Sequence, residues 1–187
     1  PVLSCIIEAD GLDTWCELTS SKIEQLSKAD ILVKIKQAGI AGMGGAAFPS
    51  HVKLNPASEI DLVIINGVEC EPYISADDRL MREFSDEILT GISIIHHLLN
   101  PQRIIIAIED NKPEAAQAME SAIRRSSLPN DMIRVTVIPT KYPSGGEKQL
   151  IQIITGKEVP SGAIPAQLGI VVHNVGTAYA IQEAVLQ

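Results

Sequence analysis

At 187 residues the chain is long enough for one domain with its own core, and its formal net charge of −8 would repel a phosphate backbone, so no nucleic-acid partner is expected. Hydrophobic residues at 45% and charged residues at 20% exclude disorder, while only 3% aromatic content leaves the core to Ile, Leu, Val and Ala. Cys5, Cys16 and Cys70 form no C-x-x-C pair, which excludes an iron–sulfur cluster or structural zinc within this stretch, and a disulfide-rich scaffold.

Residues 3–18 read as two short extended runs meeting at Asp10-Gly11, a favoured two-residue hairpin turn. Residues 1–20 are therefore expected to be the C-terminal hairpin of a preceding β-rich domain, with an α/β domain over residues 21–187. In that register Ala9 faces Leu12, and Cys5 sits opposite Cys16 at a Cα separation of about 4.5–5.5 Å, within reach of a disulfide. Ser27-Lys28-Ala29-Asp30 resembles a capping box with Asp in place of Glu or Gln; Ile31, Leu32 and Ile35 follow on one helical face, and Gly39 supplies the stop. A glycine-rich segment then runs to Phe48.

Residues 61–66, 103–109, 133–139 and 169–174 have strand length and β-branched content. Between them lie helical patterns. Asp77-Asp78-Arg79 begins one, Ile88, Ile92, Ile95 and Leu99 share a face, Pro113 opens another through Ala122, and residues 146–155 and 177–186 complete the set. Strands alternating with helices predict a Rossmann-like parallel sheet with helices on both faces. Residues 159–182 contain no Lys, Arg, Asp or Glu, yet Pro160, Gly162, Pro165, Gly169 and Gly176 would break a membrane helix, so no direct span is expected. The start at Pro1 and the stop inside a helical pattern at Gln187 suggest a piece of a longer subunit.

Four segments carry the chemistry. Residues 42–49 read G-x-G-G after a helix, which fails the dinucleotide fingerprint but leaves backbone amides free to press on a flat or phosphorylated ligand, with Lys53 placed to reach an anion. Residues 66–72 follow the first strand, where ligands gather in open α/β sheets; Asn66 both donates and accepts, and Glu69 and Glu71, two apart, are expected to point the same way. Cys70 between them reads as a small buried residue. Residues 141–148 join the third strand to a helix and can offer free N–H groups to an anion, with a lysine on each side. Residues 173–177 form the last strand-to-helix junction. His96 and His97 are adjacent on one helix and cannot chelate a metal from one face, so no metal site is expected; Trp15 reads as packing.

Taken in order, GMGGAAFPSHVKL, INGVECEPYISADDRLM, IEDNKP, PTKYPSGGEKQL, ITGKEVP and HNVGTAYAI resemble the flavin domain of RnfC subunits, from about Ala38 to the end, and more loosely the flavin subunit of respiratory complex I. The resemblance implies non-covalent FMN lined by Gly42, Gly44, Gly45, Lys53, Asn66, Glu69, Tyr142, Gly145, Asn174 and Thr177. Phe48, Glu71 and Glu147 fall where the family meets NADH, and no side chain takes a catalytic role. It further implies [4Fe-4S] clusters in the full-length subunit but outside this chain. Other Rnf-type subunits, integral membrane ones included, would be its partners, at the cytoplasmic face of a bacterial inner membrane. Departures from the complex I pattern are Met43 for Arg, Ala47 for Gly, Val68 for Asp, His173 for an amide, and Pro56 and Ile164 for aromatics near the adenine. The main rival is a non-catalytic NqrA-like scaffold or binding subunit with the same fold. An ordinary soluble dehydrogenase is disfavoured by the missing strand–GxGxxG–helix unit.

Overall fold

The structure is a computed structural model and describes residues 4–14 and 20–187. Its centre is a sheet of four parallel strands, β1 (Leu62–Gly67), β2 (Arg103–Glu109), β3 (Ile133–Ile138) and β4 (Ile170–Asn174). All four predicted strands form within a residue of their expected bounds. Strands covered on both faces read as unbroken apolar runs, and β1 is buried at every position.

Among the described residues seven α-helices accompany the sheet: α1 (Lys28–Gln37), α2 (Ser50–Lys53), α3 (Ala76–Glu83), α4 (Ser85–Leu99), α5 (Pro113–Arg125), α6 (Glu147–Thr155) and α7 (Val175–Leu186). The capping box at α1 is complete: the Asp30 N–H donates to Ser27 Oγ, and the Ser27 N–H donates to the Asp30 carboxylate. On one sheet face Val63, Ile65, Ile104, Ile106 and Val171 pack against α1, α3, α4, α5 and α7. On the other, Leu62, Ile64, Ile105 and Val172 meet Leu150 and Ile151 of α6 together with Val159. Each such side chain contributes about 1.5–3 kcal/mol through burial. Where α4 crosses α7, the backbones approach so closely that a Cβ on Gly91 would stand 1.9 Å from the Ala178 carbonyl oxygen.

The strand order is β3-β2-β1-β4. From β1 the chain winds outward through β2 and β3, then returns to the opposite side of β1 as β4. This reversal opens a crevice above the C-terminal ends of β1 and β4, where open α/β sheets place ligands.

The N-terminal turn differs from expectation. A two-residue hairpin turn needs positive φ at both central residues, and of the pair Asp10-Gly11 only Gly11, at +74°, has it. Asp10 instead folds its carboxylate onto the Leu12 N–H at 2.9 Å, and residues 4–14 form no strand. Trp15 and Cys16 lie outside the described residues, and with Cys16 the expected placement of two neighbouring free thiols, Cys5 opposite Cys16, does too. Cys5 itself is exposed.

Candidate functional site

The glycine-rich segment after α1 is a closed loop. At its neck the Gly42 N–H donates to the Phe48 carbonyl at 2.8 Å, and the Ser50 N–H to the Ile40 carbonyl at 3.0 Å. Pro49 then leads into the single turn of α2, which carries Lys53. A second anchor lies mid-loop, where the Met43 N–H donates to Thr177 Oγ1 on α7 at 2.9 Å. Loop and helix are 134 residues apart in sequence and are held as one unit.

The strand ends are tied in the same way. Asn66 and Asn174 are register partners at the tips of β1 and β4. The Asn66 amide donates to the Gly145 carbonyl at 2.9 Å and accepts the Val68 N–H at 3.0 Å. Asn174 caps α7 by accepting the Gly176 N–H at 2.8 Å, while its NH₂ donates to the Asn66 carbonyl at 3.4 Å and to the Asp77 carboxylate. A Cβ on Gly145 would stand 2.8 Å from the Val68 carbonyl oxygen, so glycine lets the 142–146 loop lie against the end of β1. Thus Asn66, Asn174 and Thr177, expected to grip a cofactor, spend much of their hydrogen-bonding capacity joining the loops to one another.

Together these loops line a half-open cavity of about 830 Å³ along the outer edge of β4. Gly42, Gly44, Phe48, Lys53, Asn66, Gly145, Glu147, Asn174 and Thr177 all line it, drawn from four separated segments. Its far end is walled by Val52, Pro56, Ile164 and Ile170, and so is mostly apolar. That end includes the short 3-10 turn Pro165–Leu168, which sequence reading missed although Pro165 and Gly169 are ordinary start and stop signals for it.

Four expected site residues lie off the cavity. Gly45 sits on the outside of the loop at φ +102°, Tyr142 is 69% exposed, and Glu71 is exposed. Glu69 and Glu71 do not point the same way, because the chain leaves the extended conformation after β1. Glu69 turns inward, only 8% exposed, and accepts the Asp77 and Asp78 N–H groups at 2.8 and 3.1 Å, capping α3 from eight residues upstream. Lys112 stands 3.6 Å from its carboxylate. Cys70 is half-buried rather than buried, beside Gly145.

Among the described residues lining the cavity, Lys53 and Glu147 are the only Lys, Arg, Asp or Glu, and they pair with each other, Nζ to Oε1 2.6 Å. His173 is the remaining titratable group there. It is 3% exposed, its Nε2 has no hydrogen-bond partner, and burial, helped by the Lys53 charge, lowers its pKa to about 3, leaving it a neutral imidazole. Behind the Asn174 cap, burial raises Asp77 to about 6, against the lowering effect of the Asn174 hydrogen bond and reinforced by the charges of Glu69 and Glu71. No group of three or more His, Cys, Asp or Glu suited to a metal occurs among the described residues, nor any helix long and apolar enough to cross a membrane.

Comparison with known proteins agrees with this architecture. The Nuo51 FMN-binding domain family matches residues 35–183. The chain is 55% identical over 186 residues to the C subunit of the ion-translocating oxidoreductase complex of Pectobacterium atrosepticum, covering 98% of this chain and 26% of that protein. It is 49% identical over 184 residues to the C subunit of the proton-translocating ferredoxin:NAD(+) oxidoreductase complex of Clostridium ljungdahlii, covering 96% and 39%. The chain therefore spans well under half the length of either relative. Among solved structures, an NAD+-reducing [NiFe]-hydrogenase in the air-oxidized state superposes with a TM-score of 0.75 over 85% of this chain and 30% of that one, at 24% identity, a likeness of fold.

Proposed function

The chain belongs to the Nuo51 FMN-binding domain family, and from that membership we propose that its cavity holds FMN without a covalent link and admits NADH beside it. The observation that carries this reading is the meeting of the 42–48 loop with the ends of β1 and β4 and the start of α6 around one cavity, at the reversal of strand order.

The residues present fit such a ligand. The cavity has the size and mixed lining of a cofactor site. Gly42, Gly44 and Gly145 bring backbone without side chains to its wall, and the first turn of α6 has no side-chain cap to occupy its N–H groups. Lys53, the only Lys or Arg in the lining among the described residues, would meet the phosphate. The apolar side chains of Val52, Ile164 and Ile170 would pack against the flat rings of the two ligands, and Phe48 and Glu147 would face the nicotinamide nucleotide. Asn66, Asn174 and Thr177 would hold the loops in register rather than act as the principal grip.

FMN, when bound, accepts two electrons as hydride and releases them singly, which is the chemistry that links a nicotinamide to one-electron carriers. The protein's own contribution is to position the two ligands. In the longer subunit, electrons would pass between NADH and [4Fe-4S] clusters outside this chain. Partner subunits, integral membrane ones included, would couple that transfer to ion movement at the cytoplasmic face of a bacterial inner membrane. An absorption and fluorescence titration of the purified chain with FMN tests the reading. Saturable uptake of one equivalent is expected; no uptake would favour the scaffold alternative.

A further inference from the structure

We propose that the Lys53–Glu147 ion pair is a latch opened by the phosphate of the first ligand, so that the two ligands of the cavity bind in order. This rests on the FMN and NADH reading above. Lys53 closes α2, Glu147 opens α6, and 94 residues separate them; their side chains meet across the cavity wall at 2.6 Å. Among the described residues no other Lys, Arg, Asp or Glu lines the cavity, and His173 is neutral. Before any ligand enters, the lining therefore presents a cation already neutralised by an anion rather than a free phosphate site.

An entering phosphate must take Lys53 from Glu147, and it meets the Glu147 charge while doing so. Both side chains are partly exposed, 27% for Lys53 and 40% for Glu147, so the exchange opposes binding only modestly. Its consequence is directional. Once Lys53 has moved to the phosphate, Glu147 becomes an unpaired carboxylate on the cavity wall, a strong acceptor for hydroxyl or carboxamide donors. Those are the groups that a nicotinamide nucleotide carries. The phosphorylated flavin thus prepares the acceptor for the second ligand, and by linkage the second ligand strengthens retention of the first. A flavin without phosphate leaves the pair closed.

The test uses the full chain and its Glu147→Gln variant, titrated with FMN and with riboflavin, followed by NADH binding to each flavin-loaded form. Glu147→Gln removes the competitor for Lys53 and should tighten FMN about two- to fivefold while leaving riboflavin unchanged. The unaltered chain should bind NADH more tightly when loaded with FMN than with riboflavin, and Glu147→Gln should abolish that difference. An FMN affinity that is unchanged or weakened by the substitution overturns the latch, even if the unaltered chain binds FMN normally. Equal tightening of FMN and riboflavin also overturns it. If the unaltered chain takes up no FMN at all, the functional reading itself fails, and the latch falls with it.

Discussion

Substituting Gly91 by alanine separates local helix preference from tertiary packing, because the two predict opposite signs. In an isolated helix, Gly→Ala stabilises by about 1 kcal/mol. In this fold the new Cβ would lie 1.9 Å from the Ala178 carbonyl oxygen and 2.6 Å from its carbon, whereas ordinary contact begins near 3.4 Å. The obstacle is main chain, so no rotamer change relieves it, and α4 and α7 must part by about 1.5 Å, the difference between 3.4 and 1.9 Å. That movement loosens Ile88, Ile92 and Ile95 from Ile181 and Val185 within the main core. Overpacking costs typically about 1–3 kcal/mol, and gaps of this size forfeit a large part of each dispersion contact. A net loss of about 3 kcal/mol is expected, lowering Tm by about 6–12 °C for a chain of this length. Thermal and urea unfolding of Gly91→Ala, alone and combined with Ala178→Gly, provide the assay. Shortening Ala178 should not rescue the variant, because its carbonyl remains. An unchanged or raised Tm for Gly91→Ala would refute the reasoning.

Lys53→Ala should weaken FMN by about 10- to 150-fold, since a charge-assisted contact is worth roughly 1.5–3 kcal/mol, but should spare riboflavin; fluorescence titration with both flavins decides. Asp77 is raised from 3.8 to about 6 in the fold, so it favours the folded state below its unfolded pKa, and that contribution is lost as pH rises through about 6. Asp77→Asn, which can still accept the Asn174 hydrogen bond, should therefore stabilise the chain by about 1–3 kcal/mol at pH 7.5 or so, and by little near pH 3.5 or so. An equal effect at both pH values in urea unfolding would count against the assignment. His173 has the opposite sign: lowered from 6.5 to about 3, it remains neutral in the fold while the unfolded chain takes up a proton. Below about pH 6.5 it should cost roughly 1.4 kcal/mol per pH unit, down to about pH 3. His173→Leu should flatten that part of the stability–pH curve, and an unchanged slope would show that His173 does not titrate as argued.

What the sequence made legible follows from the range of the interactions involved. The strands were readable because a buried parallel sheet imposes an unbroken apolar run, as in residues 62–65. Helix α1 was readable because its cap is closed within three residues, from Ser27 to Asp30. Helix α2 was not, since four residues carry no period. The site was legible as a set of strand ends, and Asn66, Gly145, Asn174 and Thr177 do meet at one cavity. What each side chain does there was not. The bonds from Asn66 to Gly145, Met43 to Thr177 and Lys53 to Glu147 span 79, 134 and 94 residues, and no local pattern encodes them. Glu69 illustrates the same limit: its residue type suits ligand binding, but its partners are the N–H groups that open α3. At Asp10-Gly11 the sequence suggested a two-residue hairpin turn, whereas in the fold the Asp10 side chain takes the Leu12 N–H.

The cross-tied loops alter how loss of function at these positions is to be understood genetically. A chain lacking the Asn174 amide would free the start of α7, release Asp77 and slacken the tip of β1 together. Loss of the Thr177 hydroxyl would likewise unfasten the glycine loop. Either lesion would empty the cavity in a binding screen and be scored as a missing ligand contact. The damage would nevertheless be already present in the ligand-free protein, as faster amide hydrogen exchange at residues 42–48 and 174–177. High ligand concentration should then partly repair these alleles, because ligand binding offsets the cost of re-closing the loops. Alleles of Lys53 would cut its tie to Glu147 on α6, which touches neither segment, so the ligand-free exchange pattern of residues 42–48 and 174–177 should stay near normal in them.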